Sequence, residues 1–300
     1  MDRSWGQPRP RNSSVNPPTA GKVPPSHSFF DVSDLAGPAG RWLAARLVDS
    51  PVSPIHLTLA FTAAGLAAAL LLAIGHGLWL AAALLLIKSA LDAADGGLAR
   101  LRRRPSRVGR FLDSDCDFVV NLAVFAGIAA GIVGRTGHGG YVPVAFLAFV
   151  SAMLQVSIFN HYYLRYRAAT GGDQTSQVSE DTPSGYAWDN RTWLEPLYLA
   201  YRAIYGWQDA LITRLDQRAA PNGPAPSRRF MTAVSVMGLG TQLLVIAVCA
   251  VIGHPEWSLW LFVTVFNIYA AGLILSRRGR GESPDAQSPI GPLGPGMANG

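Results

Sequence analysis

The sequence predicts an all-α integral membrane protein with six transmembrane helices. Of its 300 residues, 49% are hydrophobic and 15% are charged, and the mean hydropathy is +0.21. This balance is more apolar than that of a typical soluble domain. The apolar residues also form six long runs, each close to the roughly 20 residues that a helix needs to cross a bilayer. Basic residues gather at the ends of these runs, as in multi-pass membrane proteins.

The N-terminal part of the chain precedes the first run. Residues 1–30 are rich in proline and polar residues, so we expect a disordered tail rather than a signal peptide. Residues 31–50 mix apolar side chains with Arg41 and Arg46, which is typical of a helix in the membrane interface. A plain cytoplasmic lead-in is the alternative. The six predicted spans then cover residues 56–74, 78–99, 109–133, 142–163, 231–252 and 257–275.

A polar segment, residues 168–227, separates the fourth and fifth spans. Residues 193–217 combine apolar side chains with Arg202, Asp209 and Arg214 in the pattern of an amphipathic helix. We expect this helix to rest on the cytoplasmic membrane surface, and docking of a partner protein is the alternative. The predicted membrane domain therefore covers residues 31–278, with 168–227 as a cytoplasmic insertion. The Gly- and Pro-rich residues 279–300 are expected to be a disordered tail.

The distribution of arginine predicts the orientation in the cell membrane. Arginines cluster after the second, fourth and sixth spans and before the fifth, whereas the opposite loops hold few basic residues. Both termini and the loop after span two are therefore expected to face the cytoplasm. These arginines explain the net charge of +6, and no basic-aromatic module indicates binding of nucleic acid. Cys116 and Cys249 fall in separate spans, so neither a disulfide framework nor a thiolate metal site is indicated.

One polar motif lies at the junction of the second and third spans. Its carboxylates form two pairs, since Asp92 and Asp95 share one helical face and Asp113 and Asp117 share a face of the next helix. Burial and mutual repulsion disfavour four ionised carboxylates beside a membrane unless cations neutralise them. Oxygen ligands favour Mg²⁺ or Mn²⁺ over zinc. The full motif is Asp92-x2-Asp95-Gly96-x2-Ala99-Arg100, eight residues, then Gly109-x3-Asp113-x3-Asp117.

This spacing resembles the signature of the CDP-alcohol phosphotransferase (CDP-alcohol phosphatidyltransferase) family, class I, whose members are membrane enzymes of phospholipid synthesis. The resemblance implies two divalent ions, Mg²⁺ or Mn²⁺, held by the four aspartates Asp92, Asp95, Asp113 and Asp117. It implies that Asp117 is also the catalytic base that takes the acceptor's proton. It further implies a CDP-linked donor, a hydroxyl acceptor, release of CMP and, as is common in the family, a homodimer.

The resemblance also implies a set of contacts with the nucleotide. Small residues would let the nucleotide approach the backbone, and an arginine would offer a forked donor to phosphate. The family's Pro-Asn-x-x-Thr element is Pro54-Ile55-His56-Leu57-Thr58 here. Ile55 replaces the polar residue, and His56 is a candidate substitute. The implied nucleotide-binding residues are Gly96, Ala99, Arg100, Ser106, Gly109 and Thr58.

Basic residues near the motif have two interpretations each. Lys88 lies four residues before Asp92 on the same face, so it either pairs with that aspartate or extends towards the interface. His161, Arg165 and Arg167 end the fourth span on the side of the motif. They are candidates for binding the acceptor or for anchoring the span in the interface.

The leading functional hypothesis is transfer of a phosphatidyl group from a CDP-linked donor, CDP-diacylglycerol, to a hydroxyl acceptor. Inositol phosphate, glycerol phosphate and serine all remain open as acceptors. The alternative is a CDP-choline or CDP-ethanolamine type of aminoalcohol phosphotransferase acting on diacylglycerol. A divalent-cation transporter is disfavoured because the acidic residues gather at one membrane boundary. A catalytically silent scaffold is disfavoured because all four aspartates are present.

Overall fold

The structure, a computed structural model, describes residues 22–172, 185–221 and 223–278. Every regular element in these ranges is helical, which confirms the predicted all-α class. The predicted disordered tails, residues 1–30 and 279–300, fall outside the described residues except for residues 22–30, which the structure describes. Two 3₁₀ turns precede the first α-helix, at Pro25–His27 and Val32–Asp34.

Ten α-helices are found in the described ranges, and a π-helical segment, Phe262–Phe266, joins the last two. In chain order they are α1 (Gly37–Leu47), α2 (Pro54–Ile74), α3 (Leu78–Leu101), α4 (Arg107–Thr136), α5 (Tyr141–Ala169), α6 (Arg191–Ala219), α7 (Arg228–Ser235), α8 (Leu239–Val251), α9 (Glu256–Leu261) and α10 (Asn267–Leu275).

Five helical stretches in the described chain are long and apolar enough to cross a membrane, which indicates a multi-pass membrane protein. The predicted second span, α3, is not among them because Lys88, Asp92 and Asp95 interrupt its apolar run. Large apolar side chains remain on the outside of the bundle, including Phe146 and Ile268, as expected of a surface that faces lipid. The five stretches are Pro54–Ile74, Arg107–Thr136, Tyr141–Ala169, Arg228–Val251 and Glu256–Leu275.

Close contact between α2 and α4 fixes the position of the motif. A Cβ added at Gly127 would collide with the backbone carbonyl of Ala69, and one at Gly131 would collide with that of Leu72. Small residues of this kind allow membrane helices to approach backbone to backbone. Gly127 and Gly131 are therefore packing residues. Since α2 packs closely against both α3 and α4, it holds in place the two helices that carry the motif.

The N-terminal segment before α1 changes the shape of the predicted fifth span. That span was expected as one helix over residues 231–252, but α7 ends at Ser235 and α8 starts at Leu239. Ser33 packs directly against Gly238 and Gly240, where a Cβ would collide with it. The amide of Val32 donates a 2.9 Å hydrogen bond to the hydroxyl of Ser235. The break in the span therefore accommodates the segment that precedes α1.

The helix of the insertion, α6, matches the amphipathic helix predicted for residues 193–217. Its inner face packs on α4 through the ring of Tyr198, whose centroid lies 5.7 Å from that of Phe111. It also packs on α5, where the hydroxyl of Ser157 donates a 2.8 Å hydrogen bond to Gln208. Its outer face exposes apolar side chains such as Trp207. Its position relative to a membrane stays a prediction.

Candidate metal centre

The carboxylates of Asp92, Asp95 and Asp113 meet between α3 and α4. One oxygen atom of each lies within 4.8 Å of the others. Oδ1 of Asp113 is buried and accepts no hydrogen bond from the described residues. A buried carboxylate oxygen without a partner is costly unless a cation binds it. The residues therefore fit a divalent ion, and the all-oxygen donor set suits Mg²⁺ or Mn²⁺.

Asp95 is held at both of its oxygens. The hydroxyl of Thr58, on α2, donates a 2.8 Å hydrogen bond to Oδ2, and the amide of Gly96 donates to Oδ1. Thr58 and Asp95 are both buried. The sequence interpretation directed Thr58 towards the nucleotide, whereas the structure places its hydroxyl on a candidate metal ligand. Such outer hydrogen bonds fix the orientation of metal ligands.

Asp117, the fourth aspartate of the motif, does not belong to this group of three. Its Oδ1 forms an ion pair with Nζ of Lys88. The same Nζ lies 2.8 Å from Oδ2 of Asp92, which confirms the predicted pairing of Lys88 with that aspartate. Extension of Lys88 towards the interface is wrong, because its side chain is 1% exposed. Asp117 is therefore linked to Asp92 through the ammonium of Lys88.

Apart from Thr58 on α2, the predicted nucleotide residues lie on α3, at the start of α4 and in the loop that joins them. The guanidinium of Arg100 folds back over Gly96, with Nη1 3.2 Å from the place where a Cβ would lie. Gly96 thus makes room for Arg100. Ser106 caps α4, where its hydroxyl accepts a 2.9 Å hydrogen bond from the amide of Gly109. Ala99 is half-buried on α3, and contact of these residues with a nucleotide stays a prediction.

Sequence reasoning missed Asp189, which lies in the insertion just before α6. Its carboxylate accepts hydrogen bonds from the hydroxyl of Ser106 at 2.6 Å and from the amide of Arg107 at 3.0 Å. The indole of Trp188 donates a 2.8 Å hydrogen bond to the carbonyl of Pro105. The insertion therefore covers the loop between the two halves of the motif. More than 80 residues separate the partners, so no local pattern indicates the contact.

The basic group at the end of α5 has a structural partner, Asp216 of α6. His161 lies 3.4 Å from its carboxylate, Arg165 forms an ion pair with it, and Tyr162 donates a 2.9 Å hydrogen bond. Arg277 also lies 3.4 Å away. Burial raises the pKa of Asp216, but the hydrogen bonds of His161 and Tyr162 and the two arginine charges together lower it to about 2. His161 and Arg165 thus hold α6 against α5.

His56 also has a structural role, which sequence reasoning did not foresee. Its ring Nδ1 accepts a 3.1 Å hydrogen bond from the amide of Ser53, and its own amide donates to the hydroxyl of Ser53 at 3.3 Å. The pair is a capping box that begins α2. His56 therefore fixes the entry of the helix that carries Thr58.

Comparison with known proteins finds a family model that matches the part of the chain containing the motif. Residues 52–179, which contain all four aspartates, match the family model described as CDP-alcohol phosphatidyltransferase. The chain is 40% identical over 131 residues to a phosphatidylinositol phosphate synthase of Mycobacteroides abscessus, covering 43% of this chain and 56% of that protein. A crystal structure of Mycobacterium tuberculosis phosphatidylinositol phosphate synthase (PgsA1) with CDP-DAG bound is similar at 22% identity and a TM-score of 0.35, over 77% of this chain and 94% of that one.

Proposed function

We propose a function from one premise, that this chain belongs to the CDP-alcohol phosphatidyltransferase family through residues 52–179. The protein is a membrane enzyme that transfers a phosphatidyl group from CDP-diacylglycerol to the hydroxyl of an acceptor and releases CMP. The observation that carries the proposal is the group of Asp92, Asp95 and Asp113, with carboxylate oxygens within 4.8 Å of one another. Such a group suits binding of a cation that faces a nucleotide diphosphate.

The reaction exchanges one ester of phosphorus for another. The acceptor hydroxyl attacks the phosphorus atom that carries diacylglycerol, and a new P–O bond forms. The bond from that phosphorus to the bridging oxygen of the diphosphate breaks, and CMP leaves with this oxygen. Asp117 takes the proton of the hydroxyl and so acts as the general base. Its carboxylate is 17% exposed, so a substrate atom can reach it.

The other motif residues hold the donor. Asp92, Asp95 and Asp113 would hold a divalent ion, Mg²⁺ or Mn²⁺, and Asp117 would contribute to a second one, as the family resemblance implies. When bound, these ions neutralise the diphosphate and stabilise the leaving phosphate. Thr58 acts through Asp95. The residues proposed to face the nucleotide are Gly96, Ala99, Arg100, Ser106 and Gly109.

The name of the 40% identical relative supports a phosphatidyl donor over CDP-choline, because a phosphatidylinositol phosphate synthase makes a phosphatidyl lipid. The same name makes inositol phosphate the first acceptor to test, before glycerol phosphate and serine. We infer a cytoplasmic site from the arginine-rich loop that joins α3 and α4. A homodimer stays a prediction.

Purified protein tests the proposal directly. It would be incubated with Mg²⁺ and either CDP-diacylglycerol or CDP-choline, with each acceptor in turn, while CMP and the lipid product are measured by mass spectrometry. We expect CMP and a phosphatidyl product from CDP-diacylglycerol. A lipid product formed from CDP-choline and not from CDP-diacylglycerol would overturn the proposed donor. Asp117→Asn should lower CMP release by at least about 100-fold, and near wild-type release would remove the base assignment.

A further inference from the structure

Lys88 is unusual among the basic residues of this chain. The 25 lysine and arginine residues include two lysines, Lys22 and Lys88. The side chain of Lys88 is 1% exposed, whereas lysine is almost never fully buried unless it is paired. An ammonium is a compact point charge, and a guanidinium is a wide planar fork. The buried space around residue 88 therefore suits the compact ammonium of lysine better than the wide guanidinium of arginine.

The ammonium of Lys88 is contacted by three helices. On α3 it lies 2.8 Å from Oδ2 of Asp92, and on α4 it pairs with Oδ1 of Asp117. On α2 the ring of Phe61 closes the remaining side, with its centroid 4.5 Å away. Asp92 and Asp117 are 27% and 17% exposed. The carboxylates therefore face the opening of the site, and the ammonium lies beneath them.

We propose that Lys88 is a positioning residue that divides the four aspartates into two sets, an inference that rests on the proposed function. Its ammonium binds Asp117 and one oxygen of Asp92 from the buried side of the site. This contact keeps the carboxylate of Asp117 at the position where it acts as the base towards the acceptor. Asp92, Asp95 and Asp113 are left to bind the first divalent ion. The positive charge also offsets part of the negative charge of the site when no metal is bound, because carboxylates this close repel one another. Lys88 thus serves as a built-in cation of the site.

The first test compares thermal unfolding of the full-length protein in detergent with EDTA and with saturating Mn²⁺. Lys88→Met keeps an unbranched side chain, one atom shorter than that of lysine, and removes its charge. We expect its Tm in EDTA to fall by about 10 °C, since a buried ion pair loses one partner. Mn²⁺ should raise the Tm of this variant more than that of the wild type, because the ion replaces the missing charge. Leu85→Ala, one turn earlier on α3 and fully buried, is the control and should lose the same stability with and without Mn²⁺.

The second test measures Mn²⁺ binding by electron paramagnetic resonance. Lys88→Met should bind Mn²⁺ about tenfold more tightly or better, because a repelling charge is gone and the oxygens of Asp117 and Asp92 are released. Unchanged Mn²⁺ affinity, or an equal loss of Tm with and without metal, would overturn the proposal. Neither measurement needs substrate. Both therefore test the role of Lys88 even if no CMP release is found and the proposed function is wrong.

A double variant covers the case in which Lys88→Met does not fold. Lys88→Met combined with Asp117→Asn removes both members of the pair, so the unpaired carboxylate no longer penalises folding. We expect the yield of folded protein to recover in the double variant. The enhanced response to Mn²⁺ should disappear, since Asp117 no longer offers an anionic ligand. A double variant that folds no better than Lys88→Met alone would overturn the proposal.

Discussion

The hydroxyl of Thr58 donates a 2.8 Å hydrogen bond to Oδ2 of Asp95, and this bond joins α2 to the first half of the motif. Both side chains are buried, at 2% and 6% exposed. The amide of Gly96 donates a hydrogen bond to the other oxygen, Oδ1, of Asp95. The orientation of this carboxylate is therefore set by protein groups, and a metal ion would meet a ligand that is already in place.

Thr58→Val is predicted to weaken metal binding while the fold is kept, because valine has the shape of threonine without its hydroxyl. Loss of a hydrogen bond that orients a metal ligand typically costs about 10- to 100-fold in metal affinity. A Mn²⁺ titration followed by electron paramagnetic resonance measures this change. Thr62→Val is the matched control, since the hydroxyl of Thr62 donates to the carbonyl of Thr58 within α2. An affinity equal to that of wild type in Thr58→Val would show that the hydroxyl does not orient Asp95.

The sequence predicted those parts of the site that depend on local spacing. Asp92 and Asp95 share a face because a helix repeats every 3.6 residues, and Lys88 reaches Asp92 across one turn. The contact of Thr58 with Asp95 spans 37 residues, and that of Ser106 with Asp189 spans 83. Such contacts depend on how helices and loops pack in three dimensions. A single sequence does not specify them.

The helices were predicted well where the length of an apolar run determines the structure. They were predicted less well where a segment distant in sequence packs against the helix. The first, third and fourth spans correspond to α2, α4 and α5 because a bilayer-length apolar run has few alternatives. The fifth span is broken because Ser33 packs against Gly238 and Gly240. The sequence carries both glycines, but their partner lies about 200 residues earlier in the chain.

Asp113→Asn is predicted to stabilise the metal-free protein and to abolish its response to metal. The substitution removes one charge from three crowded carboxylates and leaves an amide that binds divalent ions poorly. We expect the Tm in EDTA to rise by about 3 °C, whereas added Mg²⁺ or Mn²⁺ should no longer raise it or restore CMP release. In the wild type, EDTA should abolish CMP release and either ion should restore it.

Asp115→Asn is the matched control for Asp113→Asn. Both oxygens of Asp115 are also buried and accept no hydrogen bond from the described residues, but a residue two positions along a helix points away from the site. We expect a similar gain in Tm with the metal response kept. Loss of the metal response in both variants would contradict the assignment of Asp113 as a ligand.

Asp189→Ala is predicted to disturb the loop between the halves of the motif. The carboxylate caps the start of α4 and fixes Ser106, so its loss should cost about 1 kcal/mol of stability. If the loop shapes the nucleotide side of the site, KM for CDP-diacylglycerol should rise by about tenfold with kcat little changed. Steady-state assays of CMP release measure both constants. Glu195→Ala, at an exposed position of α6, should change neither, and a fall in kcat alone in Asp189→Ala would contradict this role.

Asp216→Asn is predicted to weaken the attachment of α6 to the bundle. The substitution leaves the charges of Arg165 and Arg277 without their carboxylate, and breaking a buried pair in this way costs about 3 kcal/mol or more. Thermal unfolding in detergent measures the loss. Asp34→Asn is the control, because Asp34 forms its ion pair with Arg41 at the surface, where the two side chains are 41% and 43% exposed, respectively. Surface pairs of this kind contribute about 0–1 kcal/mol.

Asp216 should also make the stability of the protein depend on pH in the acid range. Its pKa is about 2 in the folded protein, against an ordinary value of 3.8, which corresponds to about 2 kcal/mol of folding free energy. A lowered pKa stabilises the folded state above pH 3.8, and this contribution is lost as the pH falls towards 2. Between pH 5 and pH 2 the Tm of the wild type should therefore fall more steeply than that of Asp216→Asn. Parallel pH profiles would contradict a charged Asp216 at the junction of α5 and α6.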